Sequence, residues 1–123
     1  MAKILIVDDD KSVRKCLKVL FAEEFDVYLA EDGRRGLELQ REKEIRIVIT
    51  DILMPDINGI ELCKRIRERD RNCMIFAMST ITESMAEVEH PEIQFNGYIT
   101  SPSDLGMVKS TIKEAESKLL EAR

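Results

Sequence analysis

Ile45–Gly59, IRIVITDILMPDING, is the stretch on which the reading of this chain turns. Ile45, Ile47, Val48 and Ile49 form a short, β-branched, mostly apolar run, the composition of a strand buried on both faces of a parallel sheet. Asp51 ends the run. Pro55, Asn58 and Gly59 are turn formers that reverse the backbone before the helical pattern Ile60, Leu62, Cys63, Ile66. A carboxylate on the lip of a buried strand is costly to desolvate, so the position points to function.

Outward from this stretch the chain alternates strand-like and helix-like segments. Lys3–Val7 (KILIV) reads as a strand ending at Asp8, Asp9 and Asp10, and Val13, Cys16, Leu17, Leu20 and Phe21 then recur at the spacings of one helical face. Asp10 suits the N-cap of that helix. Val27–Ala30 is a second strand, and Glu31-Asp32-Gly33 turns into a helix over Arg34–Glu42, where an internal Gly36 and a wide polar face weaken the pattern. The opening stretch supplies the third strand and a helix from Gly59 or Ile60 to Arg69. Cys73–Met78 (CMIFAM) is a fourth strand ending at Ser79 and Thr80. Thr82–Glu89 reads as a short helix that Pro91 stops. Tyr98–Thr100 is a brief fifth strand, and Leu105, Val108, Ile112, Ala115 and Leu119 mark an amphipathic last helix.

Five strands interleaved with five helices through short turns imply a doubly wound α/β fold with a parallel sheet, read as one domain over residues 1–123. The flavodoxin-like strand order 2-1-3-4-5 makes strands one and three neighbours at the switch point, where ligands bind beyond the carboxyl ends. Composition agrees. Of 123 residues, 44% are apolar and 35% charged, the balance of a soluble globular chain. No apolar run reaches membrane-spanning length, and three aspartates cut short the opening MAKILIV, so the expected location is the cytoplasm. Nineteen basic and 24 acidic residues give a net charge of −5 with no basic run, which argues against direct nucleic-acid binding. The cysteines, Cys16, Cys63 and Cys73, sit in apolar patterns and read as buried free thiols. His90, the only histidine, reads as a loop residue.

The strand order turns spacing into chemistry. Asp8 and Asp9 end strand one and Asp51 ends strand three, on neighbouring strands about 4.8 Å apart. Like charges at that range repel by several kcal/mol at an effective dielectric of about 20, so a proton or a cation has to sit among them. A hard divalent cation with oxygen ligands fits, and Mg²⁺ suits an incomplete carboxylate cage. Such an ion bridges carboxylate and phosphoryl oxygens and leaves the third carboxylate to attack phosphorus. Asp51, on the central strand, is the candidate nucleophile.

With IVDD at Ile6–Asp9, DILMPDING at Asp51–Gly59, Ser79 after strand four and GYI at Gly97–Ile99, the chain resembles the receiver domain of two-component response regulators over essentially its whole length. The resemblance implies a Mg²⁺-dependent phosphoacceptor served by a histidine kinase, a phosphotransfer protein or a small-molecule donor, signalling to a downstream effector domain or protein. By position, Asp51 resembles the phosphorylated aspartate, Asp8 and Asp9 the metal-binding pair, and the Leu53 carbonyl the remaining protein ligand. Ser79 resembles the hydroxyl residue that binds a phosphoryl oxygen, and Tyr98 the aromatic switch. The family's reactions are self-catalysed phosphotransfer and slow dephosphorylation rather than turnover of an enzyme. Leu53 and Ile81, apolar where the family flanks the path of the hydrolytic water, imply slow loss of the phosphoryl group.

One position departs from the family. Where it carries a lysine before proline, this chain reads Thr100-Ser101-Pro102, so Ser101 stands at the third catalytic position beside Asp51 and Ser79. Three readings stay open: a receiver with a weakened relay, a pseudo-receiver that works as an interaction module without phosphorylation, or an introduced substitution. The family's cis Lys-Pro bond implies a cis Ser101–Pro102 bond. For the interaction module, Glu83, Glu87, Glu89 and Glu92 form an acidic face for a basic partner. A homodimer would use that segment or the last helix. Two rival enzymes or carriers fare worse: a haloacid-dehalogenase-type phosphatase lacks a cap and a clear lysine, and a flavin carrier needs a phosphate loop where three aspartates stand.

Overall fold

The computed structural model describes residues 1–78, 95–99 and 105–121. Their elements run β1 (Ala2–Val7), α1 (Lys11–Phe21), β2 (Phe25–Ala30), α2 (Gly33–Lys43), β3 (Ile47–Asp51), α3 (Gly59–Arg69), β4 (Met74–Met78), β5 (Gly97–Ile99) and α4 (Leu105–Glu121). The five strands are all parallel in the order β2-β1-β3-β4-β5. Among the described residues there are four helices where the sequence suggests five. The fifth, Thr82–Glu89, lies outside the described residues with Ser79, Ile81, His90, Ser101 and the Ser101–Pro102 bond.

The apolar runs behave as a sheet covered on both sides requires. Ile4 and Ile6 point into a cluster with Leu17 and Phe21 of α1 and Val108, Ile112 and Ala115 of α4. Leu5 and Val7 point the other way, among Leu39 of α2 and Leu62, Cys63 and Ile66 of α3. All four strand residues are fully buried, each worth about 1.5–3 kcal/mol of transfer free energy. β3 repeats the alternation with Ile47 and Ile49 on one side and Val48 on the other. Among the described residues, no helix is long and apolar enough to cross a membrane.

Two details of the sequence reading are corrected. Cys16 is exposed, whereas Cys63 and Cys73 are buried; the buried stripe of α1 centres on Leu17 and Phe21, and Leu17 lies a rotation of about 100° from Cys16. Gly36 is no weakness of α2. It lets the helix lie close on β1, since a Cβ there would stand 2.9 Å from Val7 Cγ2. Strand limits also move: β2 starts at Phe25, and Ile45, though buried, precedes β3.

Three helices start at the carboxyl rim of the sheet, each held by a side-chain cap. Asp10 accepts from the Ser12 N–H, Asp32 from Arg35 and Asn58 from Glu61, at 2.8, 2.8 and 2.9 Å. Their positive dipole ends therefore lie at the rim that carries Asp8, Asp9 and Asp51.

Candidate metal centre at the carboxyl rim

The last register pair between β1 and β3 is Val7 with Thr50. Asp8 and Asp51 are the next residues on each strand, so they leave the sheet at the same level. Asp8, Asp9 and Asp51 each offer a carboxylate oxygen, and these oxygens lie within 4.8 Å of one another. Asp8 is buried, Asp51 half-buried and Asp9 exposed.

The backbone holds each acid in place. The Asp8 N–H donates to the Ala30 carbonyl of β2 at 3.1 Å, and its Oδ1 accepts from the Asp10 N–H at 2.8 Å. Its carbonyl accepts from Arg14 Nη1 at 2.6 Å. Asp51 Oδ1 accepts from the Leu53 N–H at 3.3 Å, and the Asp51 carbonyl from Thr50 Oγ1 at 2.9 Å. Beyond Asp51 the chain folds on itself: Ile52, Met54 and Ile57 are buried while Leu53 stands 61% exposed. Asp56 takes φ 66°, a left-handed conformation unusual for a non-glycine residue. Its carboxylate meets Arg34 Nε of α2 at 2.6 Å.

Gly59 closes this loop, and its role differs from the turn flexibility expected of it. No glycine among the described residues has a positive φ. Gly59 is needed for clearance: a Cβ would collide with the Asp51 carbonyl oxygen and lie 2.8 Å from Ile52 Cα. The Gly59 N–H instead donates to the Ile52 carbonyl at 2.9 Å.

Electrostatics single out the cluster. Burial, opposed by the Asp10 N–H and reinforced by Asp51, Asp9 and Asp10, pushes the Asp8 carboxyl from 3.8 up to about 6. Asp51 is also raised, first by burial and then, against the Leu53 N–H, by the Asp9 charge. Among the described residues no cation relieves either group; every charge that moves them is an aspartate. The donors are all oxygens, and they converge on one point. That set fits a hard divalent ion held by a few carboxylates and gives no foothold to a soft metal.

The remaining sequence-derived residues divide. Leu53 follows Asp51 in the same loop. Tyr98 lies on β5 opposite Ala77, partly buried, with Phe95 edge-on at 5.5 Å and 70°. Ser79 and Ser101 lie outside the described residues. The sequence reading missed Arg14, which touches the backbone of the acidic pair. The available signal was a long cation in the opening turn of the helix that directly follows the acids.

Comparison with known proteins shows the family and the fold. The sequence profile of the response regulator receiver domain matches residues 4–113. The chemotaxis protein CheY of Halobacterium salinarum is 32% identical over 124 residues, covering 99% of this chain and 100% of that protein. The response regulator ArlR of Staphylococcus saprophyticus is 28% identical over 92% of this chain, which spans only 51% of ArlR's length. The response regulator TrrA of Thermotoga maritima, solved in complex with Mg(2+)-BeF, superposes with a TM-score of 0.82 at 26% identity, over 94% of this chain and 99% of that one. The chain belongs to the response regulator receiver domain family, the signalling domains of two-component systems.

Proposed function

We propose that this chain, acting as a single domain over residues 1–123, accepts a phosphoryl group on Asp51 in a Mg²⁺-dependent relay. The observation that carries the proposal is the convergence of Asp8, Asp9 and Asp51, with the Asp8 and Asp51 carboxyls pushed up by burial and by neighbouring aspartates. Asp8 and Asp9 would hold the ion together with Asp51 and the Leu53 carbonyl. When bound, Mg²⁺ neutralises the carboxylates and supplies positive charge to the phosphoryl oxygens. The Leu53 N–H, donating to Oδ1 of Asp51, helps orient the carboxylate, one oxygen of which attacks phosphorus. The new O–P bond makes an acyl phosphate as the donor's bond to phosphorus breaks.

Ser79 takes a phosphoryl oxygen and, with Tyr98, reports the modified state. Ser101 offers a neutral hydrogen bond in place of the family's ammonium. A hydrogen bond to a charged group contributes about 1.5–3 kcal/mol, and each 1.4 kcal/mol is about a factor of ten, so phosphoryl retention or signalling is weakened about ten- to a hundredfold. The donor is a histidine kinase or phosphotransfer protein in the cytoplasm, and the output goes to an effector domain or protein. The binding of Mg(2+)-BeF by TrrA supports the metal and phosphoryl assignment.

Ser101 also favours a second reading, a pseudo-receiver that binds its partner whether or not Asp51 is modified. Intact-mass analysis after incubation with acetyl phosphate and Mg²⁺ separates the two. The relay requires one phosphoryl adduct on the unsubstituted chain and none on Asp51→Asn. No adduct on either sinks it, and partner binding unaffected by Asp51→Ala then supports the pseudo-receiver.

A further inference from the structure

β1 pairs with β2 through Val7 and Ala30, and the Asp8 N–H still reaches the Ala30 carbonyl at 3.1 Å. β2 ends at Ala30, so the ladder supplies no donor to the Asp8 carbonyl. Arg14 of α1 takes that place, with Nη1 donating over 2.6 Å. The Asp8 carbonyl belongs to the planar peptide unit that also carries the Asp9 N–H. A guanidinium that fixes this carbonyl therefore fixes the plane from which the buried and the exposed member of the acidic pair both project. The Asp10 N–H, bonded to Asp8 Oδ1 at 2.8 Å, completes the constraint on Asp8.

We propose that Arg14 is a positioning residue for the divalent-cation site: its hydrogen bond to the Asp8 carbonyl sets the peptide plane that turns the Asp8 and Asp9 carboxylates toward Asp51. The inference rests on the metal-binding reading of that cluster. It makes a prediction opposite in sign to simple electrostatics. A positive side chain near a cation site repels the ion, so loss of Arg14 through charge alone tightens metal binding. Loss of positioning weakens it.

Calorimetric titration with Mg²⁺ at neutral pH compares the unsubstituted chain with Arg14→Met and Arg14→Lys, alongside thermal melts in chelator that report folding without metal. Arg14→Met is expected to bind Mg²⁺ about tenfold more weakly, the low end of what outer partners of metal ligands contribute. Arg14→Lys keeps the charge but loses the planar fork, and falls between. Affinity in Arg14→Met equal to or tighter than that of the unsubstituted chain overturns the proposal. If Arg14→Met does not fold, unchanged affinity in Arg14→Lys overturns it. No Mg²⁺ binding by the unsubstituted chain sinks the metal-binding reading itself, whereas normal binding there with unaltered variants removes only the role of Arg14.

Discussion

Asp8 ties the stability of the molecule to its chemistry. Its folded value of about 6 stands above the unfolded 3.8, so the folded state binds the proton more tightly than the unfolded chain. The penalty for ionising Asp8 is absent below 3.8, grows between the two values, and is complete above about 6. At 1.36 kcal/mol per unit, the difference is about 3 kcal/mol. Without metal, Asp8→Asn is therefore expected to raise the melting temperature at neutral pH and to change it little near pH 4. Mg²⁺ should stabilise the unsubstituted chain more above pH 6 than below it. A melting temperature for Asp8→Asn at or below that of the parent at neutral pH counts against the unrelieved buried charge. Glu24, lowered chiefly by its hydrogen bonds to Lys113 and Lys109, works the other way: its contribution is lost as pH falls through its depressed value. The Asn comparison isolates Asp8 from it.

At this scale the sequence is a good guide to which acids come together and a poor one to what surrounds them. Asp8, Asp9 and Asp51 were legible because each follows a recognisable apolar run. Arg14 was not, because its partner is a backbone carbonyl whose need for a donor depends on where a different strand stops. Cys16 misled for a related reason: spacing identifies a helix but fixes the edge of its buried stripe only loosely.

Among elements, the connection from β3 to α3 is the most constrained. The Asp51 carbonyl, Ile52 and Gly59 pack closely enough that a single methyl group has no room. Gly59→Ala is therefore expected to destabilise the protein by about 1–3 kcal/mol, as overpacking does. It should also lower Mg²⁺ affinity, because the displaced atoms are those of Asp51 itself. Urea denaturation and Mg²⁺ titration of the same variant check both; a stable variant that binds metal normally would refute the close approach. The motif's glycine was easy to find in the sequence, but its reason was not: turn propensity suggested φ, and the structure requires clearance. β1, β3 and β4 were legible because most of their side chains are buried whichever way they point. β5, three residues long, was found only approximately, since Asn96 carries part of its pairing through a side chain. Asn96 Oδ1 accepts from the Ile75 N–H and from Arg67 Nη2, each at 2.7 Å.

At the scale of the whole molecule, the two ends of the sheet differ in what they gather. The carboxyl rim gathers the acids already described, while Lys3, Arg41, Lys43, Arg46 and Arg69 line a cleft at the amino ends of the strands together with Glu44, Asp70 and Glu116. The overall architecture was readable from the alternation of periods along the chain.

The central strands are sealed by helices on both sides, and this gives the protein an internal clock. The amides of Ile4–Val7 and Ile47–Ile49 reach solvent deuterium only when the entire domain opens. Their exchange rates should be uniform, the slowest in the chain, and should fall together when Mg²⁺ is added. Against that baseline, the amides of Leu53 and Asp10 should slow further than the centre does, because the ion draws their own loops taut. Faster or scattered exchange across β1 and β3 would mean that the two halves of the interior come apart separately.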